Sequence, residues 1–220
     1  DTYFQSREAT NPWYNAVYDH VEQAMNDFAA ATGRQYQPFE YYGHPQAERV
    51  IILMGSAIGT SEEVVDELLT RGEKVGVLKV RLYRPFSAAH LLDVLPESAR
   101  AVAVLDRTKE PGALAEPLYL DVMTALAEAF NRGERETLPR TIGGRYGLSS
   151  KEFGPECVLA IFNELSAAKP KPRFTVGIYD DVTNLSLPLV ENTLPSEAKL
   201  EALFYGLGSD GSVSATKNNI

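Results

Sequence analysis

The chain has 220 residues, of which 44% are apolar, 23% charged and 10% aromatic, and its formal net charge is -9. This length and composition predict a soluble globular chain of one or two domains, and argue against disorder and membrane spans. The negative charge argues against nucleic-acid binding, which needs a basic face, although an acidic patch could still meet a basic protein partner. The single cysteine, Cys157, cannot form an internal disulfide or supply the four thiolates of an iron–sulfur cluster. This sparse use of cysteine is typical of a cytoplasmic protein.

Neither end of the chain has the features of a natural terminus. Residues 1–5 contain neither an initiator methionine nor a secretory leader, and the chain stops at Ile220 shortly after a glycine-rich turn. We therefore expect the chain to be a segment of a longer protein.

The first 46 residues predict a helical arm followed by a linker. The Asn-Pro pair at residues 11–12 suits a helix start, apolar residues from Val17 to Phe28 follow at helical spacing, and Gly33 suits a helix end. Residues 36–43 then hold four aromatic side chains around a proline. We expect a linker whose rings pack on a neighbouring surface rather than a ligand-stacking site.

Residues 47–180 alternate apolar runs with amphipathic segments. This alternation predicts an α/β domain with a mostly parallel sheet covered by helices on both faces. Residues 181–203 predict a proline-punctuated connector, and residues 204–220 the start of a further domain. The predicted strands are 49–54, 74–83, 101–105, 138–142 and 174–179, and the predicted helices are 62–71 after a Thr60 or Ser61 cap, 87–95, 116–131 and 154–165.

A glycine pattern, G-x-G-x-x-G, lies near the end of the chain at Gly206, Gly208 and Gly211. In dinucleotide-binding folds such glycines let the backbone approach a pyrophosphate. That fingerprint also needs a complete βαβ unit with an acidic residue about 20 positions further on, and the chain ends before that. On pattern alone, an ordinary turn is favoured over an anion-binding loop.

Polar residues follow the predicted strands at what should be one edge of the sheet, where ligands bind in open α/β folds. The turn at residues 55–60 fits either an anion-binding helix start or a plain strand–helix turn. Two further clusters fit either an anionic-ligand site or a salt-bridged domain interface, and we favour the interface. The interface candidates are Arg81 and Arg84 in the first cluster and Asp106, Arg107, Lys109 and Glu110 in the second.

No combination of residues forms a complete catalytic set. His20, His44 and His90 lie in separate predicted elements without metal-ligand spacing, and no serine lies in a G-x-S-x-G turn. Cys157 falls on the apolar face of a predicted helix, which favours a core role over a nucleophilic one. The sequence therefore predicts no catalytic residue and no metal site in this chain.

Several segments together resemble the pyruvate:ferredoxin (flavodoxin) oxidoreductases, large enzymes that use thiamine diphosphate and iron–sulfur clusters. The resemblance covers nearly the whole chain, and runs of this length are far more specific than a glycine motif. The segments are residues 74–86, 103–113, 116–119, 143–148, 174–183 and 204–211.

The resemblance implies that residues up to about 180 form the family's second domain, which is similar to the carboxy-terminal domain of transketolases. It also implies that the chain from residue 202 onward opens the third domain, which contacts coenzyme A. Residues 214–218 and 55–60 depart from the family's usual runs, so we expect residues 55–60 to serve structure more than chemistry. The coenzyme A-binding candidates implied by the resemblance are Gly208, Ser209, Asp210, Gly211 and Ser212.

The resemblance further implies a parent enzyme that converts pyruvate and coenzyme A to acetyl-CoA and CO2. Its expected cofactors are thiamine diphosphate, Mg2+ and [4Fe-4S] clusters, none of them held by this segment, and its expected partner is ferredoxin or flavodoxin. We expect a cytoplasmic homodimer in which this segment is a catalytically silent scaffold that docks on other domains of the parent chain. The alternatives are a parent acting on another 2-oxo acid, and a free-standing module that binds a small anion such as a nucleotide or acyl-CoA.

Overall fold

The computed structural model describes residues 1–189, together with Leu203, Tyr205 and Gly206. Within these residues, six strands form one sheet. The strands are β1 (Phe39–Gly43), β2 (Arg49–Leu53), β3 (Val75–Val80), β4 (Ala101–Asp106), β5 (Arg140–Arg145) and β6 (Arg173–Thr175). Their order is β1-β3-β2-β4-β5-β6, with β1 antiparallel to β3 and every other neighbouring pair parallel. The mostly parallel α/β sheet predicted from the sequence is confirmed.

Helices cover both faces of this sheet. The α-helices of the described residues are α1 (Thr2–Glu8), α2 (Asn11–Thr32), α3 (Ala57–Thr70), α4 (Ala88–Val94), α5 (Pro117–Asn131) and α6 (Pro155–Ser166), and α1 contributes to neither core. Helices α3 and α6 enclose one hydrophobic core, while α4 and α5, with Tyr18 from α2, enclose the other. Strand β2 serves both cores, because successive side chains of a strand point to opposite faces. Its Ile51 and Leu53 lie in the first core, and its Val50 and Ile52 in the second.

The sheet begins earlier than predicted. Residues 36–43 were expected to form a linker, but Phe39–Gly43 is strand β1, at the sheet edge beside β3. Aromatic residues on both faces hide its alternation, since Tyr41 packs against one core and Tyr42 against the other. The predicted packing of the rings is nevertheless present, because Tyr36 lies 6.0 Å from Phe28 between ring centroids.

Other elements also differ from the prediction, including β3, which ends at Val80 rather than at residue 83. Helix α1 was not predicted, and α3 begins at Ala57. Ser61 therefore lies inside α3 rather than at its cap, and its buried hydroxyl donates to the carbonyl oxygen of Ala57, 2.8 Å away. Strand β6 stops at Thr175 because Gly177, with φ of 66°, turns the chain out of extended conformation.

Part of the predicted connector packs against the sheet. Ser186 forms a parallel bridge with Thr175 of β6, and Leu187 is buried. The rest of the connector, from residue 190 to 202, lies outside the described residues, and the domain boundaries stay predictions. No helix in the described part of the chain combines the length and apolar character needed to cross a membrane.

Candidate functional site

The carboxyl end of β4 meets the start of α5, and Asp106 joins them. Its carboxylate accepts hydrogen bonds from the backbone N–H groups of Leu118 and Tyr119, at 2.9 and 3.1 Å. Those groups have no partner within the helix, and a negative charge suits a helix N-terminus. Burial of Asp106 raises its pKa, while the two backbone N–H groups oppose that shift. The carboxylate therefore fastens the helix to the strand.

A buried ion pair lies beside this connection. The guanidinium Nε of Arg145, at the end of β5, donates to Glu116 Oε1 over 2.7 Å. Both side chains are nearly inaccessible, at 10% and 3% exposure. The ammonium group of Lys109 lies 3.9 Å from the same oxygen. Glu116 directly precedes α5, so this pair ties β5 to the same helix start.

The loop after β3 also reaches α5. The guanidinium of Arg84 lies 2.7 Å from the Asp121 carboxylate and 3.9 Å from the centre of the Tyr83 ring. Burial and the hydrogen bond to Asp121 raise the pKa of Tyr83 to about 12. The loops after β3 and β4, which were expected at one edge of the sheet, are thus linked there through α5.

Arg81 belongs to a different cluster, on the edge strands. Its guanidinium and the ammonium group of Lys79 both bind the carboxylate of Glu40 in β1. Lys79 is 3% exposed and also donates to Glu62 of α3 over 2.7 Å. Burial raises the pKa of Glu40, but the hydrogen bonds from Lys79 and Arg81 outweigh it, so the pKa is lowered. The ion pairs of Lys79 and Arg81 with Glu40 and Glu62 therefore fasten β1 and α3 to β3 and the residue that follows it.

A cleft of about 220 Å³ opens where the order of the strands reverses, between the ends of β2 and β4. Such a switch point is where open α/β sheets bind ligands. In the cleft wall, Arg107 Nε donates to the carbonyl oxygen of Gly147 over 2.9 Å. The cleft is lined by Ser56, Ala57, Arg107, Tyr146, Gly147, Lys151, Glu152 and Phe153.

Sequence reasoning missed the residues that follow β5, including Gly147 and Lys151. The available signal was their position directly after a parallel strand, which brings them to the same edge as Arg107. The predicted β5 ended three residues early, at residue 142, so its carboxyl end was not recognised as part of this edge.

The six interface candidates differ in exposure. Asp106 is buried, Arg81 is half-buried, and the others have exposed side chains. In the loop after β4, Leu114 is also 92% exposed, which is unusual for a large apolar side chain. The interface role stays a prediction. The coenzyme A-binding candidates Gly208, Ser209, Asp210, Gly211 and Ser212 lie outside the described residues.

His44, His90 and Cys157 take structural positions, whereas His20 is exposed on α2. His90 stacks on Tyr18 at 3.6 Å between ring centroids, and His44 Nδ1 accepts a hydrogen bond from the Gln46 backbone N–H. Cys157 is buried in α6, where burial raises the pKa of its thiol. One thiol does not fit an iron–sulfur cluster, which is held by four. In the described part of the chain, no three His, Cys, Asp or Glu side chains are grouped to hold a metal ion.

Residues 47–147 match the family model described as "Pyruvate:ferredoxin oxidoreductase core domain II". Over all 220 residues the chain is 91% identical to a probable pyruvate-flavodoxin oxidoreductase of Escherichia coli (strain K12), covering 19% of that protein. It is also 55% identical to the pyruvate:ferredoxin oxidoreductase of Moorella thermoacetica. That match covers the whole of this chain and 18% of the Moorella protein.

A solved 2-oxoglutarate:ferredoxin oxidoreductase from Magnetococcus marinus matches 60% of this chain and 20% of its own, with 22% sequence identity and a TM-score of 0.39. The chain spans about a fifth of the length of the two curated relatives. Residues 47–147 are thus a core domain II of the pyruvate:ferredoxin (flavodoxin) oxidoreductase family.

Proposed function

We propose that this chain is a non-catalytic scaffold segment of a pyruvate:ferredoxin or pyruvate:flavodoxin oxidoreductase. The complete enzyme converts pyruvate and coenzyme A to acetyl-CoA and CO2, and passes two electrons through [4Fe-4S] clusters to ferredoxin or flavodoxin. Its thiamine diphosphate, Mg2+ and clusters are held by other domains, and it acts as a cytoplasmic homodimer. The names of the relatives, at 91% and 55% identity over the whole chain, support this proposal.

The scaffold role is supported mainly by the partners of the buried charged groups at the carboxyl edge of the sheet, which are structural. A general acid or base must be free to reach a substrate proton. Here the Asp106 carboxylate is occupied by two N–H groups of α5, and Glu116 is paired with Arg145. These side chains fasten strands to a helix, which is what a supporting domain requires.

The docking surface of this scaffold is the exposed part of the same edge. The loop after β4 exposes Arg107, Lys109 and Glu110, and in the same loop the apolar side chain of Leu114 is 92% exposed. A polar rim around an apolar contact is the usual composition of a protein interface. We assign this loop, with Arg84, to contacts with neighbouring domains of the parent chain.

The coenzyme A contact belongs to the residues that follow. In the complete enzyme, residues 208–212 offer backbone N–H groups to a phosphate or to the pantetheine arm of coenzyme A. The glycines at positions 208 and 211 suit a backbone that approaches its ligand closely. This part of the proposal rests on the pattern and on the family position of the loop.

Cofactor retention tests the scaffold role. The 220-residue chain is produced in cells that make iron–sulfur proteins and is analysed for iron, acid-labile sulfide and thiamine diphosphate. The proposal predicts none of the three at stoichiometric amounts. Retention of any of them in a one-to-one ratio with the chain would overturn the proposal, because this segment would then hold part of the catalytic apparatus.

The cleft between β2 and β4 favours one other candidate function, a self-contained module that binds a small anion such as a nucleotide or acyl-CoA. Arg107 and Lys151 bring two positive charges to its walls, and α3 begins there at Ala57. Direct titration of the chain with coenzyme A separates the two functions, because a scaffold segment lacks a complete site.

A further inference from the structure

Four large aromatic side chains on the first two helices face solvent. Tyr3 and Phe4 of α1 are 74% and 66% exposed, and Trp13 and Tyr14 of α2 are 77% and 60% exposed. Most large aromatic side chains are substantially buried in folded proteins. We call these four residues the aromatic patch. Exposed large apolar side chains concentrated in one short segment of a chain are typical of an interaction surface.

Helix α1 has little support from the rest of the described chain, and its Glu8 carboxylate accepts one hydrogen bond from the Asn11 side-chain amide of α2, at 2.9 Å. It is seven residues long, none of its residues is buried, and Asp1 makes no side-chain cap hydrogen bond. Isolated helices of fewer than about 12 residues are marginal in water, so a helix this short depends on tertiary contacts. A partner surface that covers this helix would supply the tertiary contacts on which its stability depends.

The apolar face of α2 extends beyond the point where the domain supports it. Tyr18 anchors the helix, being 7% exposed and stacked on His90. Tyr14 lies four residues earlier, one turn along the same helix face. The face that packs on the domain at Tyr18 thus continues outward through Tyr14 to α1.

We propose that the aromatic patch docks in an apolar groove on the remaining part of the parent oxidoreductase chain, with Trp13 and Tyr14 as the anchors. This inference rests on the proposed function. The E. coli relative is about five times as long as this chain, so it contains ample polypeptide to cover the patch. Trp and Tyr are the residues that most often anchor protein interfaces.

Charge favours a protein groove over the other occupants. Among residues 1–16, the charged side chains are Asp1, Arg7 and Glu8, and the Arg7 guanidinium already lies over the Tyr3 ring at 4.6 Å. Helices that lie on membranes carry many lysines and arginines on their polar face. This segment carries one, so a lipid surface is disfavoured, and an apolar protein surface is the matching partner.

Trp13 provides the first test, because it is the sole tryptophan of the chain. In the 220-residue chain alone, its emission should be that of a solvent-exposed indole, quenched by iodide and unchanged by protein concentration or by anionic phospholipid vesicles. A blue shift with rising protein concentration would assign the patch to a second copy, and a shift with vesicles to a lipid surface. Either shift would overturn the proposal.

Hydrogen exchange in the complete oxidoreductase provides the second test. Amides of residues 3–14 should exchange about 100-fold more slowly there than in the 220-residue chain, because docking removes local opening. Equal rates in the two proteins would contradict the docking. This readout is independent of cofactors, so its failure is distinct from a failure of the scaffold proposal, which is measured by iron and thiamine retention.

A paired substitution separates docking from folding. Trp13→Ser with Tyr14→Ser should leave the Tm of the 220-residue chain unchanged, because neither side chain is buried there. The same double variant should restore fast exchange of residues 3–14 in the complete enzyme. Leu138→Ser, which changes an exposed apolar residue outside the arm, is the control and should leave that protection intact. Protection that survives the double substitution would contradict the role of the anchors.

Discussion

The corner between β4 and α5 and the aromatic patch on α1 and α2 differ in which side chains they bury and which they expose. At the corner, charged groups are buried and paired, since the Asp106 carboxylate accepts hydrogen bonds from two N–H groups and Glu116 forms an ion pair with Arg145. At the patch, apolar rings face outward, with Trp13 77% exposed. The corner stabilises this chain by itself, whereas the patch becomes useful only against another surface. Substitutions should therefore act on the chain in one region and on its assembly in the other.

The largest effect is expected from Arg145→Met. Removing one partner leaves the Glu116 carboxylate buried without its ion pair, which should lower the free energy of unfolding by about 3–5 kcal/mol. Arg145→Met combined with Glu116→Gln removes both charges and should recover a substantial part of the loss. Urea denaturation of the unsubstituted chain, the single variant and the double variant measures the three free energies of unfolding. Equal losses in the single and double variants would show that packing, rather than the unpaired charge, controls the corner.

The next effect is expected from Asp106→Ala. The substitution removes the acceptor for two buried N–H groups at the start of α5, which should lower the free energy of unfolding by about 2–3 kcal/mol. Asp106→Asn keeps one carbonyl oxygen as an acceptor and should lose less. The comparison again uses urea denaturation. If the Asp106→Ala variant is as stable as the unsubstituted 220-residue chain, the role of this carboxylate in fastening α5 to β4 is wrong.

The edge strands also carry paired charged groups, since Glu40 binds Lys79 and Arg81. These pairs predict that the stability of the chain depends on pH. Glu40 titrates with a lowered pKa in the folded state, because the hydrogen bonds from Lys79 and Arg81 outweigh the effect of burial. A lowered folded pKa contributes stability that is present above the unfolded value of about 4.5 and is lost as pH falls through the folded pKa.

Glu40→Gln should therefore reduce stability at pH 7 and flatten the loss of stability on acidification below pH 4.5. Thermal melts at a series of pH values measure this difference. Parallel curves for the two chains across the acidic range would show that the ion pairs with Lys79 and Arg81 do not control Glu40.

The smallest effects are expected from the exposed loop after β4. Glu110→Ala should change the free energy of unfolding of this chain by less than about 0.5 kcal/mol, because exposed charges contribute little to stability. Arg107→Ala should lower it by about 1 kcal/mol, because that variant also loses the hydrogen bond to the Gly147 carbonyl oxygen. The measurement is the same urea titration. A loss of 2 kcal/mol or more would mean that these side chains belong to the corner rather than to a docking surface.

Much of the sheet could be predicted because its central strands, β2 and β4, are nearly continuous apolar runs. Residues 49–54 have the pattern of a strand buried on both faces, and β2 occupies residues 49–53. Strand β1 could not be predicted in the same way, because edge position and aromatic residues on both faces give it no clear period. The common edge of the strand-end loops followed from parallel topology alone.

The interior of the candidate site was harder to predict. Glu116 and Arg145 are 29 residues apart, and Asp106 caps a helix that begins 11 residues later. Such pairings depend on how α5 packs across β4 and β5, and periodicity does not encode that packing. The sequence identified Asp106 as a polar strand end, but not that its carboxylate faces inward. The aromatic patch was missed for a different reason, since α1 is too short to show a pattern.

Calorimetric titration of the 220-residue chain with coenzyme A shows directly whether this chain supports a site without containing one. The scaffold role predicts no heat beyond dilution up to millimolar ligand. Tight one-to-one binding that disappears in Arg107→Ala would contradict it, because the cleft between β2 and β4 would then be a complete anion site within this segment.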